Sequence, residues 1–184
     1  YKYVSKARWN PADSAGGLES GDRYLNDGSL YAARFLPDGT GEWLALQIDN
    51  PAIQSEKTFG FQSQAEVLVY ARLAADAVGA TPMDRPEWAA RHPTSGEIFF
   101  AMTNNNERNR TPGKTNAANP RAYRDADGKR RAGNPNGHIL RFKEEQGRSD
   151  SMRFSWDIFL FGAEEDAGPA NLSGLTADNS FSSP

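Results

Sequence analysis

Short strands that pair in order predict an all-β chain with one helix, part of a β-propeller built from antiparallel four-stranded blades. Three observations carry that fold class. Glu87–His92, Glu97–Thr103, Gly137–Lys143 and Met152–Phe161 read as four consecutive strands, interrupted by one long polar insertion. A partial copy of the pattern, the hairpin Ser29–Ile48, lies upstream. Only Ser63–Gly79 carries convincing helical spacing. One sheet of this kind buries too little by itself, so the fold is expected to lean on neighbouring blades.

The elements follow in chain order. Tyr1–Trp9 alternates well enough for a strand, with Tyr3 and Trp9 as aromatic anchors. Asn10–Gly28 is polar and turn-rich and reads as a loop. Ser29–Phe35 and Glu42–Ile48 flank Leu36-Pro37-Asp38-Gly39-Thr40-Gly41, where proline sets φ and glycine is free to take positive φ. Residues 1–50 therefore form part of a preceding blade. In 63–79, Ser63 and Glu66 make a capping box, Val67, Leu68, Ala71, Ala74 and Val78 share a face, and Gly79 occupies the position after the last turn.

Residues 82–162 form one blade with its insertion at 104–136, and 163–184 lead toward the next blade. Both ends of the chain fall where a strand pattern is under way, so a piece of a larger protein is expected. Exposed edges of a cut propeller invite pairing, so self-association is expected too.

Composition narrows the function. The chain has 184 residues, 38% hydrophobic, which is globular rather than disordered. A net charge of -3 gives no argument for nucleic acid, and no apolar run reaches the ~20 residues that span a bilayer. With no cysteine, neither a disulfide nor a thiolate metal site exists within these residues. The two histidines, His92 before Pro93 and His138 in a strand, read as structural, and a histidine-rich zinc centre cannot be assembled. Any metal held here is a hard cation that takes oxygen ligands.

The best donors lie in Pro82-Met83-Asp84-Arg85-Pro86-Glu87-Trp88. Two prolines stiffen the backbone at the start of a strand. Two carboxylates and a guanidinium held this rigidly suit either a metal and phosphate site or a structural ion-pair cluster. Glu87 is the first candidate ligand and Asp84 the second, with Asn104 and Asn105 offering carbonyls and Arg85 a grip on phosphate. The alternative makes Glu87 a partner for Arg85 or Arg91. Asp125-Ala126-Asp127-Gly128 resembles the start of a calcium loop but lacks its later glycine and glutamate, and reads as a polar turn. The insertion is basic through Arg108, Arg110, Lys114, Arg121, Arg124, Lys129, Arg130 and Arg131, and could steer an anion, although a solvated face explains it residue by residue. No nucleophile elbow, phosphate loop or dinucleotide fingerprint occurs. No catalytic residue can be assigned.

The stretch Ala71–Trp88 resembles the core signature of the PhoX-type alkaline phosphatases. So do Asp38–Leu44, Gly96–Phe100 with Thr103–Asn105, and Gly137–Arg141. The resemblance implies a six-bladed β-propeller with calcium and ferric ions at the centre of one face, and a periplasmic or secreted phosphomonoesterase acting on phosphate-ester small molecules. It makes Glu87 an acidic metal ligand and gives Asn104 and Asn105 a weaker role near the channel. Phe181-Ser182-Ser183-Pro184 resembles the opening of the next acidic motif, and the family cysteine of the iron site is expected upstream of Tyr1. With only part of the ligand set, the isolated chain is expected to be inactive. The competing expectation is a non-catalytic calcium-binding propeller segment with a binding or structural role.

Overall fold

A computed structural model of the chain describes residues 1–105, 115–120, 123–124, 132–134 and 136–162. Strand is the main regular structure among them, with a few short helices. The chain divides into two compact units, Tyr1–Arg34 with Glu42–Ala80, and Phe35–Gly41 with Thr81–Pro184.

The first unit holds strand β1 (Lys2–Ser5) and most of β2 (Gly28–Phe35) and β3 (Thr40–Ala45), adjacent in that order. β1 and β2 are antiparallel, Lys2 opposite Tyr31 and Ser5 opposite Gly28. Four α-helices accompany them: α1 (Leu18–Leu25), α2 (Pro51–Ser55), α3 (Gln64–Val69) and α4 (Ala71–Ala77). Their core gathers Ala32, Leu46, Ile53, Val67 and Ala74, all buried.

The expectation of one helix is thus corrected. Within 63–79 the chain breaks at Tyr70 (φ −102°, ψ 38°), which ends α3 and starts α4. Glu66 does not close the reciprocal box on Ser63. It accepts from the Gln62 backbone instead (2.7 Å), while Ser63 Oγ accepts from Glu66 N–H (3.2 Å). Gly79 takes φ 75° just past the Val78 cap, as its position predicts.

Asn10–Gly28 is also more than a loop. A 3₁₀ turn at Pro11–Ala15 is capped by the Asn10 side chain, and α1 follows. That helix buries no residue, and Leu18 and Leu25 stay exposed. Leu18, Tyr24 and Leu25 do share a face, but in eight residues with Gly21 among them the spacing is too short to mark a helix in the sequence. The first strand is shorter than predicted, and Trp9 lies beyond it, its ring 4.9 Å from Tyr24.

The second unit contains the predicted meander. Strands β4 (Pro86–Arg91), β5 (Ile98–Met102), β8 (His138–Glu144) and β9 (Arg153–Phe161) pair antiparallel in chain order. The pair β6 (Tyr123–Arg124) and β7 (Ala132–Gly133) forms within the insertion. Met102 and Leu140 are buried with Ala118, and Phe100, Trp156 and Ile158 pack against them. Phe35–Gly41 belongs to this unit. The Trp156 backbone donates to Gly39 O (2.8 Å), and its indole donates to Thr40 O (2.8 Å). Gly39 has φ 81°, and Asp38 Oδ1 accepts from Thr40 N–H (2.9 Å), the turn chemistry the sequence predicts.

Candidate functional site

The site is built where β4 opens and β5 ends. Pro86 lies opposite Met102 and Trp88 opposite Ala101, so Glu87 is the extra residue of a β-bulge. A bulge re-aims its side chain away from the regular alternation. Every residue of β4 is exposed. The Glu87 side chain is 51% exposed and lies 3.4 Å from the Arg85 guanidinium.

Arg85 leaves the preceding turn in the left-handed region, at φ 46°. A side chain with a Cβ is rarely found there, so the surroundings must hold it. They do so on both sides. Arg85 N–H donates to Met83 O (3.1 Å), and Thr103 N–H donates to Arg85 O (3.3 Å). Its guanidinium donates through Nη1 to Asn104 Oδ1 (2.9 Å). The ion pair with Glu87 is thus one arm of a three-residue arrangement, Asn104–Arg85–Glu87.

Asp84 is fully buried. Its Oδ1 accepts from Asn105 Nδ2 (2.8 Å), and its backbone N–H donates to Asn119 Oδ1 (2.8 Å). Asn105 in turn exchanges both backbone hydrogen bonds with Asn134 (2.9 and 2.8 Å). The five residues expected at the site thus fall into two hydrogen-bonded sets, Asp84 with Asn105 and Arg85 with Glu87 and Asn104, held side by side because Asp84 precedes Arg85 and Asn104 precedes Asn105. They occupy two levels, with Asp84 and Asn105 as the inner support and Arg85, Glu87 and Asn104 at the surface.

Two participants, Asn119 and Asn134, went unnoticed in the sequence. Asn119, Asn134 and His138 are buried. His138 Nε2 donates to Ala118 O (2.8 Å), so Nδ1 accepts from the Asn134 amide (2.9 Å). Both ring nitrogens are engaged inside the protein, which is the structural role expected of His138. His92 caps its own turn, Nδ1 accepting from Ser95 N–H (3.1 Å). The asparagines carry no local signal, because in a polar insertion they read as ordinary loop residues.

The oxygen donors suit a hard cation, and Glu87 is the accessible carboxylate among them. Among the described residues no group of three or more histidines, aspartates or glutamates could enclose a metal ion. Asp125, Asp127, Phe181–Pro184 and the basic residues of the insertion, apart from the strand position of Arg124, lie outside the described residues.

A family model described as alkaline phosphatase PhoX matches residues 1–184. The chain belongs to the PhoX alkaline phosphatase family. It is also similar to Pseudomonas fluorescens PhoX, whose structure is solved in complex with vanadate, a transition state analogue. Identity is 32% and the TM-score 0.77, over 99% of this chain and 31% of that one. No curated protein sequence matches. The chain thus spans about a third of the length of the PhoX structure it matches, and the Glu87 site belongs to a PhoX-family segment.

Proposed function

We propose that the chain is a segment of a metal-dependent phosphomonoesterase, acting on phosphate-ester small molecules, with Glu87 as a metal ligand and Arg85 as a phosphate-binding cation. Membership of the PhoX family supports the reaction class. The observation that carries the site is local: Glu87 is the unpaired bulge residue of β4, half-exposed, beside a guanidinium held by Asn104. A carboxylate facing outward can dock a hard cation, and a guanidinium beside it can take a phosphoryl oxygen.

In this reading the metals are calcium and ferric iron, and their role is to polarise phosphoryl oxygens and stabilise charge moving to the leaving group. Glu87 is the carboxylate of this chain that would hold them, with Asn104 and Asn105 nearby. The remaining ligands come from outside the described residues. Residues 82–162 form one blade of a β-propeller, and the protein works in the periplasm or outside the cell. The isolated chain is inactive and self-associates through exposed edges such as β4, where Trp88 is 76% exposed.

Hydrolysis of p-nitrophenyl phosphate by the full-length protein, followed through chelation and restoration of calcium and iron, tests the proposal. Activity that disappears with the metals and returns with them is expected. A full-length protein that binds no metal and turns over no phosphate ester would refute it.

A further inference from the structure

Asn119 lies in the insertion, 35 residues beyond Asp84, yet it grips the backbone just ahead of Arg85. Its Oδ1 accepts from Asp84 N–H (2.8 Å) and its Nδ2 donates to Pro82 O (3.0 Å). One amide side chain therefore fixes two peptide groups of the same turn. Asn116 doubles the hold on Pro82 O (3.0 Å), and its Oδ1 accepts from both the backbone N–H (3.0 Å) and Nδ2 (2.8 Å) of Asn119. Next to Asn119, the Ala118 carbonyl is held by the buried ring of His138 in β8. The clamp is thus anchored to the sheet.

Burying an amide is costly unless its hydrogen bonds are made, and here they are. The result is to hold the residues ahead of Arg85, the one site residue in the left-handed region. Released from the clamp, Arg85 would relax toward negative φ. That change would swing the guanidinium away from Asn104 and Glu87.

We propose that Asn119 is a positioning residue for Arg85. It sets the Pro82–Asp84 turn so that the Arg85 guanidinium stands beside Glu87, ready for the phosphoryl group. The inference rests on the phosphatase reading of the site for its functional consequence, but not for its geometry.

Asn119→Leu in the full-length protein keeps the branched shape of the side chain and removes its hydrogen bonds to Asp84 N–H and Pro82 O. It is expected to lower kcat/KM for p-nitrophenyl phosphate about tenfold and to weaken inhibition by vanadate by a similar factor, a coupling of ordinary size for residues in one network. In an Arg85→Ala background the same substitution should change kcat/KM by less than about twofold. An equal loss in both backgrounds, or no loss in the first, would overturn the proposal. Should Asn119→Leu not fold, Asn116→Ala weakens the clamp without emptying the buried site, and must show the same dependence on Arg85. If the unaltered protein hydrolyses no phosphate ester, the phosphatase reading falls and a crystal structure of the clamp variant decides. Arg85 at negative φ, detached from Asn104, supports positioning; Arg85 unmoved refutes it.

Discussion

Asn105 donates its side-chain amide to the buried carboxylate of Asp84 at 2.8 Å, joining the end of β5 to the turn that opens β4. Asn105→Leu deprives a buried carboxyl group of that donor. A loss of about 1–3 kcal/mol is expected from the desolvation left uncompensated. The shift in urea midpoint of the full-length protein measures it, and an unchanged midpoint would show that Asp84 does not depend on Asn105.

Gly137 precedes β8 at φ 70°. A Cβ added there would run into the carbonyl oxygens of Met102 and Thr103, which are backbone and cannot rotate aside. Gly137→Ala should therefore cost more than about 2 kcal/mol, combining a left-handed penalty with displacement of the end of β5. Thermal unfolding reads this directly. A Tm within a degree of the unaltered protein would mean that the turn is not tightly closed.

Leu140 is buried between β5 and β9 among Met102, Phe100 and Ile158. Leu140→Ala removes its side chain from a packed layer, and about 2–5 kcal/mol of destabilisation follows from lost transfer energy and the cavity. Denaturant titration checks this as well. A cost below ~1 kcal/mol would show that the layer collapses around the gap.

Glu56 follows α2 and folds its carboxylate back onto a turn. Backbone N–H groups of Phe59 and Gly60, then Thr58, hold its pKa down to about 2 from 4.5. A depressed carboxylate contributes stability above its unfolded pKa, and that contribution is lost as pH falls from 4.5 through about 2. Carboxyl carbon shifts of Glu56 followed by NMR should titrate near the lower value. A midpoint above pH 4 would show that the turn does not hold the charge.

How much of this was legible depends on where the information sits along the chain. The meander β4–β5–β8–β9 could be read because β8 and most of β9 alternate and turn residues part β4 from β5, and Phe100, Leu140 and Phe142 fall on the inner side of adjacent strands. Helix α1 could not, because Gly21 sits within it and its leucines face outward. The break at Tyr70 was equally hidden, since the apolar spacing on either side continues in phase. At the site, the two prolines marked the turn, and the expected residues do converge. What the sequence did not reveal was their division into levels. Asp84 and Glu87 are both carboxylates three residues apart, yet one is buried under Asn105 and the other stands on a bulge. The partners that decide this, Asn119 and Asn134, are distant in sequence and polar among polar neighbours. Only tertiary contacts set them apart.

Glu87, on the bulge of β4, is the carboxylate proposed to hold a metal for phosphate-ester hydrolysis. Full-length Glu87→Ala and the unaltered protein are compared for calcium and iron content and for hydrolysis of p-nitrophenyl phosphate. Loss of a ligand should reduce bound metal and lower kcat by at least about a hundredfold. Equal metal content and equal turnover in the two proteins would contradict it.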